Sequence, residues 1–326
     1  MKRFTKITLI VSLCLILVGI GLTGCGIMLG GIPNFIYNPS THQTIRVESK
    51  STPVTKNLDA FTNINCKLND TDLVIKQGDD YSITYPKNTF SSYPIEVSDD
   101  TLTINESTAN KSGKYFNFTI HDMLTETPQS IVITVPKDCD LSSIQLSSDS
   151  GDITLSDIIS AELNISADYG DATLTSVQIP DLECNLKDGD LALHNCDIQT
   201  ANFSLSYGDC DITNSSVQKI CCTSDDGDFL ADRSDFDSFT VTLSYGNLDI
   251  DDSSIEKLTA DISSGDCDIT LNGKAKDYSM DLTSSYGDIT VSGHNNESGN
   301  YQTAGLGSQT IQITNSYGDI DISFTK

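Results

Sequence analysis

The chain has 326 residues and a formal net charge of −27, with 46 Asp and Glu against 19 Lys and Arg. A surface with this much negative charge repels nucleic-acid phosphates and anionic lipid headgroups. We therefore expect no nucleic-acid partner and a preference for cations or a basic partner. From Ser143 onward, seven Lys and Arg face 32 Asp and Glu, which gives this part a net charge of −25. Solubility and mutual repulsion at a crowded surface are the simpler explanation of that charge.

The first 32 residues predict a membrane anchor. Lys2, Arg3 and Lys6 precede an uncharged, largely apolar run from Ile7 to Ile32. About 20 apolar residues are enough for a helix to span a bilayer. Because the basic residues lie only on the N-terminal flank, the positive-inside rule leaves the N-terminus in the cytoplasm. We therefore expect a single-pass transmembrane helix in residues 1–32 and an extracellular C-terminal domain.

A lipid anchor is the alternative interpretation of the same segment. The run from Leu22 to Cys25 has the pattern of a lipoprotein processing box, and lipid on Cys25 would then replace the helix. The residues after Cys25 stay apolar, which favours the uncleaved helix. Both interpretations place the following domain on the outer face of the membrane.

Two regions separate the anchor from the regular part of the chain. Residues 33–60 are rich in Ser, Thr, Pro and Asn and predict a tether with little structure. Residues 61–140 predict an irregular β cap that covers the open end of a repeat array, with Gly78-Asp79 as a degenerate first repeat. Strands are predicted there at Phe61–Leu68, Asp72–Ile75, Tyr81–Tyr85, Ile95–Val97, Thr101–Ile104 and Ile131–Val135.

Residues 141–326 contain a glycine repeat. A glycine followed by Asp, or once by Asn, recurs at intervals of 19 residues and then at looser intervals of 22 and 31. The glycines are Gly151, Gly170, Gly189, Gly208, Gly227, Gly246, Gly265, Gly287 and Gly318. Apolar and polar residues alternate between them, which predicts short strands. Such units cannot bury an apolar face alone, so their stacking predicts an all-β solenoid of 19-residue Gly-Asp repeats.

The residue before the glycine leaves the length of one coil open. Tyr occurs there in every second copy of the regular array, with Ser or Asp between. If two repeats form one coil of 38 residues, the tyrosines make a continuous ladder. If one repeat forms a coil, they lie about 9.6 Å apart, which is twice the strand spacing.

The ten cysteines show no spacing typical of a disulfide framework. Cys184, Cys210, Cys222 and Cys267 occupy apolar positions of the repeat, so we expect them to pack in the core like small hydrophobic residues. Cys221 is expected to face outward. No clustered ligand set indicates a metal site, and no cofactor is expected.

The repeated aspartates are the one feature that resembles a site. One Asp in each turn supplies too few of the six to eight oxygens that Ca²⁺ requires. The densest group, and the best calcium candidate, consists of Asp209, Asp211, Asp225, Asp226 and Asp228. We interpret the column as serving the turns and solubility, with diffuse cation binding.

The order of these features resembles the bacterial "putative adhesin" families of unknown function with β-strand repeats. The matching segments are Phe61–Asn65, Asp72–Asp79, Ile131–Lys137 and the Ser-Tyr-Gly-Asp copies. The resemblance implies a right-handed β-solenoid at the cell envelope, commonly with an N-terminal membrane span. It implies no catalytic residues.

Enzymatic function is not favoured by the sequence. Some right-handed β-helices are glycan-cleaving enzymes, but here the acids recur in every coil rather than forming one distinct constellation. His42, His121, His194 and His294 are scattered. We therefore expect a non-enzymatic adhesion or binding scaffold that contacts an envelope protein or a glycan. An envelope-stress sensor or an accessory of a membrane partner is the alternative, and a glycan-active enzyme is the third hypothesis.

Overall fold

The computed structural model describes residues 52–87, 91–108, 130–137, 139–296 and 299–325, the short segments 35–38, 43–46 and 116–118, and five single positions before residue 23. Apart from a 3-10 turn at Ala275–Asp277 and those single helical positions, the regular elements described are all strands. The predicted all-β class is confirmed.

The strands follow each other from one end of the chain to the other. The first thirteen are β1 (Phe35–Asn38), β2 (Gln43–Arg46), β3 (Thr52–Asn57), β4 (Asn63–Leu68), β5 (Leu73–Gly78), β6 (Ser82–Lys87), β7 (Ser91–Ser92), β8 (Ile95–Ser98), β9 (Thr101–Asn105), β10 (Ser107–Thr108), β11 (Phe116–Phe118), β12 (Ile131–Pro136) and β13 (Asp140–Leu141). The regular array comprises β14 (Ser143–Ser148), β15 (Ile153–Ser156), β16 (Ile159–Ser160), β17 (Glu162–Ala167), β18 (Ala172–Thr175), β19 (Gln178–Asp188), β20 (Leu191–His194), β21 (Asp197–Tyr207), β22 (Cys210–Thr213), β23 (Ser216–Asp226), β24 (Phe229–Asp232), β25 (Asp235–Tyr245), β26 (Leu248–Ser264) and β27 (Cys267–Leu271). The last six are β28 (Tyr278–Tyr286), β29 (Ile289–Val291), β30 (His294–Asn296), β31 (Asn300–Thr303), β32 (Gln309–Tyr317) and β33 (Ile320–Phe324).

Helical structure is sparse among these residues. No helix in the described part of the chain is long and apolar enough to cross a membrane. Most of residues 1–32, for which the sequence predicts the transmembrane helix or the lipid on Cys25, lies outside the described residues.

The chain divides into two compact units. The smaller comprises residues 1–52, 88–90 and 109–128, and in it β1 pairs antiparallel with both β2 and β11. The larger comprises residues 53–87, 91–108 and 129–326. Strands β1 to β3 lie within the predicted tether of residues 33–60, where β1 pairs antiparallel with β2 and β3 pairs with β6. The expectation of little structure therefore does not hold for these segments.

The larger unit is a stack of coils joined by parallel pairing. Residues 19 apart pair along its regular part, as Ile153 pairs with Ala172 and Leu163 with Leu182. Each coil contributes a short strand directly after the Gly-Asp pair to a first sheet and a longer strand to a second sheet. One 19-residue unit therefore forms one coil, and the solenoid-like architecture is confirmed.

A second corner connects the two strands of each coil. Six non-glycine residues there have a positive φ of 45° to 57°, namely Asp157, Ser176, Asn195, Asn214, Arg233 and Asp252. Asn and Asp adopt this left-handed conformation more readily than most residues, whereas Arg233 lacks that advantage.

Both ends of the array depart from the order of the sequence. Strand β32 pairs in parallel with both β26 and β28, so the coil that comes last in the sequence lies between two earlier coils. At the other end, β5 lies between β12 and β15. Antiparallel strands follow outside the parallel array at each end, with β6 and β8 at one end and β30 and β31 at the other. The open edge of a parallel array would present a row of unpaired N–H and C=O groups to another strand, and these antiparallel strands change that arrangement.

The pairing of β5 also corrects the position of the first repeat. Leu73 pairs with Ile153, which places Thr71 and Asp72 level with Gly151 and Asp152. The prediction that Gly78-Asp79 is the degenerate first copy is therefore wrong. Gly78 lies at the end of β5, where it pairs with Pro136.

The core is one continuous apolar cluster between the two sheets. Phe203, Val241 and Leu243 are all buried in it. Cys184, Cys210, Cys222 and Cys267 are free and buried, and Cys221 is exposed, as predicted. Burial raises the pKa of the Cys184 thiol and raises that of Cys267 to about 12, so these thiols are unreactive packing groups.

Candidate functional site

The repeated aspartates form a hydrogen-bonded column that we call the aspartate ladder. In each step, the backbone N–H of one ladder residue donates to Oδ1 of the ladder residue in the adjacent coil, at 2.7–3.0 Å. In spatial order the residues are Asp72, Asp152, Asp171, Asp190, Asp209, Asp228, Asn247, Asp266, Asp319 and Asp288. Each bond joins two coils rather than closing a turn within one coil. The ladder thereby gives these acids a structural role that recurs in every coil.

The glycine column next to the ladder holds the coils at close range. Gly208 has a φ of +136°, which side chains rarely allow, and a Cβ there would overlap the carbonyl oxygen of Gly189. The same overlap recurs from coil to coil along the regular array. Glycine is thus required both by the backbone conformation and by the approach of the neighbouring coil.

The calcium candidates are distributed over different structural roles. Asp209 and Asp228 belong to the ladder, whereas Asp211 accepts a hydrogen bond from the Thr213 hydroxyl at 2.7 Å. Asp225 and Asp226 are exposed at the corner before Gly227. In the described part of the chain, no group of three or more His, Cys, Asp and Glu is arranged to hold a metal ion.

The residues before the glycines form a row on the surface of the solenoid, which we call the tyrosine ridge. In spatial order it contains Tyr169, Asp188, Tyr207, Asp226, Tyr245, Ser264, Tyr317 and Tyr286, each in the coil next to the one before. The glycine amide of each coil donates to the carbonyl oxygen of the ridge residue in the next coil, which holds the row in register. The tyrosines are 58–71% exposed, so their rings are available to a ligand.

The two tyrosines at the C-terminal end of the ridge are in direct contact. The rings of Tyr286 and Tyr317 stack with centroids 4.9 Å apart and planes inclined by 5°. The insertion of β32 beside β28 brings them together, although they are 31 residues apart in the sequence. Sequence spacing did not reveal this pair, because it depends on the exchanged order of the coils.

The surface beside the ridge is strongly acidic. Asp249, Asp268 and Asp321 occupy successive positions on the first sheet. Desolvation, followed by the charges of neighbouring aspartates, raises the pKa of Asp249 and of Asp268. These carboxylates therefore repel one another, and a cation at this surface would be stabilised.

One cation of the chain itself is bound at the edge of the ridge. Lys187 Nζ lies 2.5 Å from Asp168 Oδ1, one coil away and next to Tyr169. The hydrogen bond to Asp168, and then the charge of that carboxylate, raise the pKa of Lys187, with a smaller contribution from Tyr169. The pair is solvent-exposed, so it contributes little to stability, but it shows which charge this edge attracts.

A buried serine column was missed at the second corner. The position is apolar in some coils, as at Val177, but Ser215, Ser234 and Ser253 are buried at the equivalent positions. The N–H of Ser215 donates to Oγ of Ser234, and the N–H of Ser234 to Oγ of Ser253, both at 3.1 Å. The 19-residue spacing of these serines is the signal that could have identified them.

Comparison with known proteins identifies one family whose model matches most of the chain. The family model described as Toastrack DUF4097 matches residues 61–323. Comparison with curated proteins found no match. Among solved structures, the chain is similar to a "putative adhesin" from Bacteroides fragilis, with 13% identity, 85% of this chain and 99% of that chain covered, and a TM-score of 0.44.

Two further solved structures show similar coverage. A "putative lipid binding protein" from Parabacteroides distasonis is 14% identical over 86% of this chain and 98% of its own, with a TM-score of 0.41. A "putative adhesin" from Parabacteroides merdae is 13% identical over 84% and 97%, with a TM-score of 0.37. The resemblance seen in the sequence is confirmed by the family match over most of the chain, and the protein belongs to the Toastrack DUF4097 family.

Proposed function

We propose that this protein is a non-enzymatic binding scaffold of the cell envelope, in which the solenoid presents the tyrosine ridge to a partner. The exposed, regularly spaced tyrosines carry the proposal, because large aromatic side chains are the residues that most often dominate binding surfaces. The aspartates that directly follow the glycines are accounted for by the ladder, in which each member is hydrogen-bonded to an adjacent coil. Such a column resembles scaffolding more than a catalytic constellation.

The location of the scaffold is part of the same proposal. The apolar segment within residues 1–32 anchors the chain as a single transmembrane helix, with the N-terminus in the cytoplasm and a right-handed solenoid on the outer face. A lipid on Cys25 would produce the same exposure of the solenoid. Protease treatment of intact cells tests this topology, because an external solenoid is degraded while cytoplasmic proteins survive.

The binding function is tested by crosslinking in the cells that produce the protein. A photoreactive residue at Ser206, beside Tyr207 in the second sheet, should yield a discrete crosslinked envelope component. The double variant Tyr207→Ser/Tyr245→Ser should lose it, whereas Asp237→Asn, which lies in the same strand as Tyr245 but off the ridge, should retain it. Equal crosslinking by all three proteins would contradict a function of the ridge.

The enzyme hypothesis is tested on the same protein. The full-length chain is incubated with cell-wall glycans, and soluble fragments are measured. Turnover that disappears on substitution of a ladder aspartate by Asn would replace the scaffold by a glycan-active enzyme. Absence of turnover, together with a ridge-dependent crosslink, is the expected result.

A further inference from the structure

The tyrosine ridge has a regular period along the array. Tyr169, Tyr207 and Tyr245 stand two coils apart, and Asp188 and Asp226 occupy the coils between them. Because neighbouring strands lie about 4.8 Å apart, these tyrosines repeat at about 9.6 Å. A ligand that contacts all three must present equivalent groups at about this interval.

The chemistry of the ridge selects positive groups. A Lys or Arg cation is attracted to the face of an exposed tyrosine ring. The aspartates between the tyrosines are exposed, and the aspartate ladder runs parallel to the ridge two residues further along the chain. Lys187 already binds Asp168 at this edge. Tyrosine and carboxylate therefore alternate from Tyr169 to Tyr245, in a part of the chain whose net charge of −25 over residues 143–326 attracts cations.

A polyproline-II helix matches the period of the ridge. It has three residues per turn and rises about 3.1 Å per residue, so every third side chain points the same way at intervals of about 9.3 Å. We propose that the tyrosine ridge binds a basic polyproline-II segment of a partner polypeptide that carries Lys or Arg at every third residue. This inference rests on the proposed binding function and specifies the class of its partner.

Other backbone conformations match less well. A β-strand repeats its side-chain direction every two residues, or about 6.7 Å. Seven residues of an α-helix rise about 10.5 Å, so over the two intervals from Tyr169 to Tyr245 the helix accumulates a mismatch of about 1.8 Å. The polyproline-II segment accumulates about 0.6 Å over the same distance.

Two synthetic peptides of equal composition and charge test the spacing. The first contains five Lys-Pro-Pro triplets, in which each proline also holds the preceding residue in an extended conformation. The second contains five consecutive lysines followed by ten prolines. Each labelled peptide is titrated with the full chain in detergent at physiological ionic strength, and fluorescence anisotropy is measured. We expect the triplet peptide to bind about fivefold more tightly or better, because only its charges meet successive tyrosines.

Three variants locate the binding site. Tyr207→Ser should weaken binding of the triplet peptide about two- to fivefold, the range expected for one exposed cation–π contact. Ser150 and Ser264 occupy the equivalent position in other coils, so serine is compatible with the fold there. Asp226→Asn should weaken binding about two- to threefold. Asp237→Asn removes the same charge at the opposite end of the strand that contains Tyr245, beyond the Debye length of about 8 Å, and should change binding less than twofold.

The outcomes separate this inference from the proposed function. Equal affinity for both peptides, or equal effects of Asp226→Asn and Asp237→Asn, would show diffuse attraction only and overturn the inference. Binding of neutral cell-wall glycan fragments that Tyr207→Ser abolishes would also overturn it and assign the ridge to sugars. If neither peptide binds but the ridge-dependent crosslink persists, the partner class is wrong and the scaffold function stands. Loss of the crosslink as well would refute both.

Discussion

The aspartate ladder makes a quantitative prediction for Asp209. Its Oδ1 accepts the N–H of Asp228 at 2.8 Å, and its own N–H donates to Asp190 at the same distance. Asp209→Ala removes the acceptor and retains the donor. A hydrogen bond to a charged group contributes about 1.5–3 kcal/mol, and the exposed amide of Asp228 regains part of that from water. We therefore expect the free energy of unfolding to fall by about 1.5 kcal/mol.

Asp209→Asn is the matched control, because it keeps a carbonyl acceptor and removes only the charge. The protein itself contains this substitution at Asn247, whose Oδ1 accepts the N–H of Asp266 at 2.9 Å. Loss of one charge also relieves repulsion along the ladder, which offsets the weaker neutral hydrogen bond. The free energy of unfolding should therefore change by less than about 0.5 kcal/mol.

Urea unfolding followed by circular dichroism, at low and physiological salt, distinguishes the two variants. The slope with urea should match that of the wild type, since a smaller slope would indicate that the array no longer unfolds as one unit. An Asn variant as unstable as the Ala variant would refute the reasoning, because it would mean that the carboxylate charge itself is required. A bound cation would explain such a requirement. Saturable Ca²⁺ binding by calorimetry that disappears in Asp226→Asn would support this explanation, because Asp209 and Asp226 belong to the same group of calcium candidates.

Four further changes probe the core, the turn, the acidic surface and the anchor. Phe203→Ala should lower the free energy of unfolding by about 3–5 kcal/mol, as for other buried phenylalanines, and a loss below about 1 kcal/mol in chemical unfolding would mean that the ring is not packed in the core. Gly208→Ala should lower the free energy of unfolding by about 3 kcal/mol or more, because side chains rarely adopt this backbone conformation and the added Cβ would overlap Gly189. A thermal unfolding midpoint close to that of the wild type would contradict the close stacking of the coils. The folded-state pKa of Asp268 is raised above its ordinary value of 3.8, so its ionised form destabilises the fold, and stability should rise as the pH falls through that raised pKa toward 3.8. Asp268→Asn should therefore raise the thermal midpoint at neutral pH and reduce its gain on acidification, whereas an identical pH profile would refute the repulsion. Cys25→Ala should remain in the membrane fraction, and its release, together with fatty-acid labelling of the wild type, would establish a lipid anchor instead.

The sequence predicts the regular part of the array well, because one constraint repeats in each coil. A glycine is needed wherever a Cβ would overlap the neighbouring coil. The spacing of Gly151, Gly170 and Gly189 therefore follows directly from the stacking of the coils. The tyrosine positions follow from the same spacing. The sequence alone did not decide between one and two repeats per coil. The pairing of residues 19 apart shows that one repeat forms one coil.

The ends of the array could not be predicted, because strand pairing there does not follow sequence order. No local pattern shows that β32 lies between β26 and β28, or that Asp72 rather than Asp79 begins the ladder. The burial of the serines was not predicted for a different reason. A serine near a turn usually indicates an exposed loop, and its burial is compatible here because Ser215, Ser234 and Ser253 bond to their equivalents in adjacent coils and to backbone carbonyl groups.

The exchanged order of the C-terminal coils has a consequence for biosynthesis. Among the strands that the structure describes, the coil formed by β28 and β29 pairs in parallel with β32 and β33, which leave the ribosome later. It must wait for them, whereas each coil from Gly151 to Gly265 can add to its predecessor as it emerges. A premature stop after residue 308 would therefore remove one coil from the chain and leave a second without its neighbour.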